Sequence, residues 1–129
     1  MTVELTLLVW SAPLVGAYLL VQSTLYRLQH GVAHAASARD DEPPPGKLTQ
    51  RGERALRNLL ETYPVFVALA LATEIAGLSD ALTQWGAHVW FWSRWLYLPL
   101  YVLGIPYVRS LVWLVSAIGL VLMFAGLVL

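Results

Sequence analysis

The chain has 129 residues, of which 58% are hydrophobic and only 12% are charged, and its mean hydropathy is +0.63. That is more apolar than a soluble globular domain, and the length favours one domain over residues 1–129. The formal net charge is zero, so no long-range field indicates a nucleic-acid partner. Because cysteine is absent, disulfides, a protein thiol nucleophile and cysteine-ligated metals are excluded.

The composition is explained by apolar stretches that predict an all-α integral membrane protein, a four-transmembrane-helix bundle. Leu5–Leu25 has no charged residue and, at ~1.5 Å per residue, reaches about the ~30 Å of a bilayer's hydrocarbon. A signal peptide is less favoured, since the only charge before this stretch is Glu4. Ser110–Leu129 is equally free of charge. The predicted helices cover about residues 5–27, 48–79, 84–105 and 109–129.

The loop over residues 28–47 combines basic residues with a proline-rich linker. Ala33–Gly46 is polar, and Pro43–Pro45 cannot continue a helix. The turn before the third helix contains no lysine or arginine, and its one charged residue is Asp80. The positive-inside rule therefore places the first and third loops in the cytoplasm and both termini on the opposite side. Most of the lysines and arginines lie between the first two helices: Arg27, Arg39, Lys47, Arg51, Arg54 and Arg57.

A polar stripe marks the start of the second helix. Arg51, Arg54, Asn58 and Glu61 follow one another at intervals of three, four and three residues, which places them on one helical face. The guanidinium group of an arginine can donate two parallel hydrogen bonds to a carboxylate, and a glutamate can accept a hydrogen bond from an ammonium group. The stripe therefore predicts a ligand that carries several carboxylates and an amine.

A second stripe lies in the third helix, where Arg94, Tyr97 and Tyr101 share a face. A charge near the centre of a membrane helix costs at least ~2.5–3.5 kcal/mol on insertion scales, so Arg94 should face protein or a wet cavity. Together with Arg109 at the start of the fourth helix, the two stripes predict one pocket that opens to the cytoplasm.

Structural explanations of these residues stay open beside the functional one. The arginines near the membrane could extend to lipid headgroups, which is the favoured explanation for Arg57. Arg54 could form an intrahelical network with Glu61, and Arg94 could pair with Glu74 across the bundle. His30 and His34 have i, i+4 spacing but lack a matching carboxylate, and no metal site is expected.

Three motifs in order carry a resemblance to the MAPEG superfamily, the membrane-associated proteins in eicosanoid and glutathione metabolism. The stretch "RGERALRNLLETYPVF" resembles the family signature through the R-x3-N-x2-E-x2-P spacing of Arg54, Asn58, Glu61 and Pro64. "RWLYLPLY" resembles the R-x2-Y-x3-Y pattern of the third helix, and "GIPYVRS" the junction into the fourth. The short second turn is similar to the bacterial branch, which implies the bacterial inner membrane and a protein like microsomal glutathione transferase.

The resemblance implies a homotrimer that binds glutathione, as co-substrate, between neighbouring protomers. By position, helix two would bind it through Arg51, Arg54, Asn58 and Glu61, and helix three of the neighbour through Arg94, Tyr97 and Tyr101. Close contact between protomers would be permitted by small residues in the first and last helices: Ala12, Gly16, Ser116, Ala117 and Gly119.

The resemblance also implies catalysis by Arg109, which would stabilise the glutathione thiolate for attack on a lipophilic electrophile or hydroperoxide. A cation close to sulfur in a low-dielectric site favours the thiolate. The implied activity is a membrane-bound glutathione S-transferase or peroxidase. The alternative is a non-catalytic bundle whose polar stripes stabilise a trimer.

Overall fold

The computed structural model of the protein describes residues 1–40 and 42–129; Asp41, part of the predicted linker, lies outside them. The described chain is helical, with four long helices that pack against one another and one short turn of helix. The elements are α1 (Val3–His30), α2 (Val32–Ala35), α3 (Lys47–Ala76), α4 (Ala81–Val102) and α5 (Val108–Val128).

The turn between α3 and α4 lies three residues earlier than the apolar stretches predicted. Gly77 adopts φ +67°, a left-handed conformation that ends many helices, so α3 stops at Ala76. Asp80 then caps α4: its carboxylate accepts from the Thr83 amide, and the Thr83 hydroxyl accepts from the Asp80 amide. Local backbone signals, and not the limits of the apolar stretch, set these boundaries.

One glutamine organises the segment between α1 and α3. The Gln29 side chain donates to the Pro44 carbonyl at 3.0 Å and accepts from the Gly46 amide at 2.6 Å. α1 itself continues three residues beyond the predicted end, and the next four residues after Gly31 form α2 within the predicted loop over residues 28–47. The proline-rich segment is thereby tied to the end of α1, and α3 begins at Lys47.

Two glycines let α4 and α5 touch backbone to backbone. A Cβ atom on Gly86 would lie 2.5 Å from the Gly119 carbonyl oxygen, and one on Gly119 would lie 2.7 Å from the Gly86 carbonyl oxygen. Further along α5, a Cβ atom on Gly126 would lie 2.5 Å from Thr83 Cγ2. Gly119 thus packs inside the protomer, whereas its place among the small residues of the last helix had suggested contacts between protomers. Gly16 in α1 remains in open space.

A polar network closes the end of the bundle where α1 and α4 begin and α5 ends, here called the closed end. Glu4 is 0% exposed and accepts hydrogen bonds from the hydroxyls of Ser79 and Thr83. Nearby, the Thr2 amide donates to Glu74 at 3.2 Å. The opposite end, where α1 and α4 end and α3 and α5 begin, is called the basic end.

Large apolar side chains cover the outside of the bundle. Trp10, Trp85, Trp92, Val121 and Phe124 are each more than half exposed. Such a surface suits lipid and not water. Three helices, α1, α3 and α5, are long and apolar enough to cross a membrane. A fourth span through α4 stays a prediction.

Candidate functional site

Arg94 is buried in α4 and is only partly satisfied by the protein. It is 0% exposed, its Nη2 donates to Asn58 Oδ1 at 2.9 Å, and its Cζ lies 4.5 Å from the centre of the Tyr97 ring. The Tyr18 hydroxyl donates to the Arg94 carbonyl at 2.6 Å and ties α1 to α4. Among the described residues, Arg94 Nε and Nη1 have no hydrogen-bond partner.

This geometry decides one alternative left open by the sequence. The hydrogen bond of Arg94 goes to Asn58, while Glu74 accepts from Thr2 at the closed end. The ion pair between Arg94 and Glu74 is therefore not formed. Unpaired donors on a buried cation are costly, and the two other guanidinium nitrogens keep unused hydrogen-bonding capacity within the described chain.

A ladder of cations and rings continues from Arg94 to the basic end. Tyr97 is buried, and its ring centre lies 5.6 Å from that of Tyr101. The Cζ atom of Arg109 lies 4.6 Å from the centre of the Tyr101 ring. Cations over tyrosine faces are attracted by the ring quadrupole, so the aromatic rings orient both guanidinium groups. The fold thus brings the stripe of α4 together with Arg109.

A cavity of ≈260 Å³ lies between α3, α4 and α5 beside this ladder. Its wall combines an amide, hydroxyls, a guanidinium and an indole, which can hold a polar ligand next to an apolar one. The residues that line it are Asn58, Tyr97, Tyr101, Arg109, Ser110 and Trp113.

The first turn of α5 adds features that the sequence analysis did not select. Ser110 and Trp113 line the cavity one turn apart. Tyr107, the residue before the helix, makes no side-chain cap, so the positive end of the helix dipole lies beside the cavity without a side-chain acceptor. The signal was available: Ser110 is the last residue of "GIPYVRS", and Pro106 marks where the helix begins.

The family model described as the MAPEG family matches residues 6–129, nearly the whole chain. The match includes both polar stripes and Arg109. The chain belongs to the MAPEG family. Membership confirms the superfamily indicated by the three motifs and, with three membrane-spanning candidates, an integral membrane protein. The MAPEG family includes glutathione-dependent transferases and peroxidases. No curated protein and no solved structure matches the chain.

The structure divides the MAPEG signature between two flanks of α3. Asn58 faces the cavity, whereas Glu61 is exposed and lines a groove of ≈580 Å³ that α3 forms with α1. Arg57 lines the same groove as Glu61, together with Gln22 and Glu53. The sequence had favoured lipid headgroups as the partner of Arg57, which lies off the three-and-four series of the stripe.

The two other arginines of the predicted stripe make contacts within the protein. Arg54 is exposed and donates to Gln50 Oε1 at 3.0 Å, one turn earlier, so the contact it makes differs from the proposed network with Glu61. Arg51 donates to the Val102 carbonyl at 3.2 Å. Within the described chain, neither residue lines the cavity.

The MAPEG resemblance had assigned the α3 and α4 residues to different protomers. Asn58 and Arg94, however, are hydrogen-bonded within one chain, so this contact needs no neighbour. His30 and His34 lie with ring centres 5.4 Å apart near the basic end. In the part of the chain that the structure describes, no group of three potential ligands is arranged for a metal ion.

Proposed function

We propose that this MAPEG protein is a membrane-bound glutathione-dependent transferase or peroxidase. One observation carries the proposal: Arg109 lies over Tyr101 on the wall of a cavity that also presents Asn58 and Tyr97. These are four of the positions that the resemblance assigns to glutathione, and they come from three different helices. Family membership and the donor chemistry of the cavity support the same activity.

Activation of the thiol follows from the charges beside the cavity. A free thiol has a pKa of about 8.5, so little thiolate exists at neutral pH. The guanidinium of Arg109 and the positive end of α5 both stabilise negative charge on sulfur and lower the pKa of the thiol. The Tyr101 hydroxyl can donate a further hydrogen bond to the thiolate.

The thiolate would then react with an apolar substrate that arrives from the bilayer. In the transferase reaction, sulfur forms a bond to an electrophilic carbon, and the leaving group departs with its electron pair. In the peroxidase reaction, sulfur attacks a hydroperoxide oxygen, the O–O bond breaks and the alkoxide takes a proton. A second glutathione converts the resulting sulfenic acid into glutathione disulfide and water.

The size of the cavity supports a site that is completed by a second protomer. Pockets for small molecules usually enclose about 300–1,000 Å³, and the cavity holds ≈260 Å³. We infer a homotrimer in which the groove of Arg57 and Glu61 on one protomer supplies a wall for its neighbour. Arg94 would bind a carboxylate and Glu61 the ammonium group. We further propose the bacterial inner membrane, with the basic end cytoplasmic.

The experiment measures glutathione binding by calorimetry and turnover with an electrophile, on protein purified in detergent. Arg109→Ala should lower turnover by about 10²–10³-fold, because it removes charge stabilisation from the reacting sulfur. S-methylglutathione, which has no thiol proton, should bind the variant about as well as the wild type. Arg27→Ala is the matched control, since the side-chain hydrogen bonds of Arg27 within the described residues go to Ser23 and Thr24 on its own helix.

Two results would contradict the proposal. A trimeric wild type that binds no glutathione would favour the alternative, a non-catalytic bundle whose polar stripes stabilise the assembly. Unchanged turnover in Arg109→Ala, with glutathione still bound, would remove the catalytic role of Arg109.

A further inference from the structure

Arg51 reaches from α3 to the turn that joins α4 to α5. Its Nη1 donates to the Val102 carbonyl, at the last residue of α4, over 3.2 Å. A cation at the end of a helix also interacts favourably with the negative end of its dipole. Arg51 therefore binds the end of α4 through both a hydrogen bond and its charge.

Gly104 provides the space for this guanidinium. A Cβ atom on Gly104 would lie 2.6 Å from Arg51 Cζ and 2.7 Å from Nη2. Gly104 also has φ +70°, a conformation that other L-residues rarely adopt. The turn thus combines a left-handed backbone with a side-chain-free surface, and the Arg51 guanidinium packs directly on that surface.

The same turn sets the position of Arg109. Gly104 and Ile105 donate to the Tyr101 and Leu100 carbonyls and complete the end of α4. Tyr107 then adopts φ +58° and starts α5, which carries Arg109 in its first turn. Arg109 in turn lies over Tyr101, at the other end of this hydrogen-bonded turn.

We propose that Arg51 is a positioning residue that fixes the α4–α5 turn and thereby holds Arg109 at the cavity, and that it does not bind glutathione itself. This inference rests on the proposed function. It replaces the sequence-based assignment of Arg51 to the ligand, because the guanidinium is packed against Gly104 and bonded to Val102. A ligand residue and a positioning residue predict different measurements.

The contact is tested first without glutathione, by hydrogen exchange of the backbone amides of residues 102–111. Arg51→Gln and Gly104→Ala should each raise exchange there by about tenfold, since local opening costs less free energy once the contact is lost. The double variant should exchange less than the product of the two effects, because the two changes disrupt one contact. Additive effects, or no effect, would overturn the contact.

The positioning role is tested with bound glutathione, through the ultraviolet absorbance of its thiolate as a function of pH. In Arg51→Gln, the thiolate fraction at a fixed pH below the midpoint should fall by about tenfold, because a small displacement of the cation is costly in a low-dielectric site. The dissociation constant for S-methylglutathione should change by less than about threefold, as a non-ligand requires. Arg27→Gln is the matched control.

The outcomes separate this proposal from the proposed function. Weaker binding of S-methylglutathione with unchanged thiol ionisation would make Arg51 a ligand and overturn the inference. If wild-type protein bound glutathione without ionising its thiol, thiolate activation and the role of Arg51 in it would both be overturned, while the exchange data would still report the contact. Lower thiolate fraction with binding retained supports both.

Discussion

The two ends of the α4–α5 pair differ in how completely their buried polar groups find hydrogen-bond partners within the protein. At the closed end, Gly86 and Gly119 bring the backbones into contact, and buried Glu4 accepts from two hydroxyls. At the basic end the same helices, with α3, line an open cavity, and buried Arg94 keeps two nitrogens without a partner in the described chain. Both ends bury a charged residue, but in the described chain only the one at the basic end keeps donors without a partner.

This difference separates polar groups that stabilise the fold from polar groups that keep unused hydrogen-bonding capacity. A buried network whose members are all paired stabilises one arrangement of the helices, whereas a partly paired network is unfavourable unless something completes it. Charge and burial alone would not distinguish Glu4 from Arg94, since both are 0% exposed. The hydrogen-bond partners do distinguish them, and they support the proposed ligand site at the basic end.

The largest effect on stability should come from Glu4→Ala. The change removes the acceptor that the Ser79 and Thr83 hydroxyls share, and loss of these buried hydrogen bonds to a carboxylate should lower the free energy of unfolding by about 3 kcal/mol. Denaturation of the detergent-solubilised protein would measure it. Glu4→Gln, which retains one acceptor, should lose less, and glutathione affinity of the folded variant should not change. A variant as stable as the wild type would contradict the structural role of Glu4.

A smaller effect is expected from Gly86→Ala, which tests the backbone contact at the closed end. The added methyl group would meet the Gly119 carbonyl at 2.5 Å, so the helices must separate, at a cost of about 2 kcal/mol. Thermal unfolding would report the loss. Gly16→Ala is the matched control, because nothing lies within 4 Å of that position. Equal melting temperatures for both variants would mean that α4 and α5 are not in contact there.

The smallest effect on stability is expected from Arg94→Met at the basic end. Replacing a poorly paired buried charge by an apolar side chain of similar length should alter the free energy of unfolding by less than about 1 kcal/mol. Glutathione affinity should nevertheless fall about tenfold, because a charged hydrogen-bond donor is lost. Calorimetry and denaturation of the same sample measure both. A large loss of stability with unchanged affinity would make Arg94 a structural residue like Glu4.

Much of the fold could be predicted from the sequence, because an apolar stretch long enough to cross a membrane can adopt few structures other than a helix. The long helices were predicted within about three residues of their observed ends. The errors came from local signals that hydropathy does not contain. The capping box of Asp80 and the left-handed Gly77 set the position of the second turn, and α1 ends only at Gly31, its C-cap.

The candidate site could be predicted only in part from the sequence, as the polar stripe of α3 shows. The spacing predicted that one helical face carries Arg51, Arg54, Asn58 and Glu61, and this holds for α3 considered by itself. In the bundle, Asn58 bonds to Arg94 at the cavity, Arg51 bonds to the end of α4, and Glu61 lies in a groove beside Arg57. One face therefore meets three different environments.

Residue types and their periodicity thus determined the class of protein, the helices, the family and the candidate residues, because each depends on neighbours along one helix. The tertiary structure decided which of those residues meet, because contacts between helices depend on crossing geometry that periodicity does not encode. Arg94 joins Asn58 instead of Glu74 because α4 packs against α3 with these two residues side by side. Arg109 lies on Tyr101 because the α4–α5 turn directs α5 back along α4.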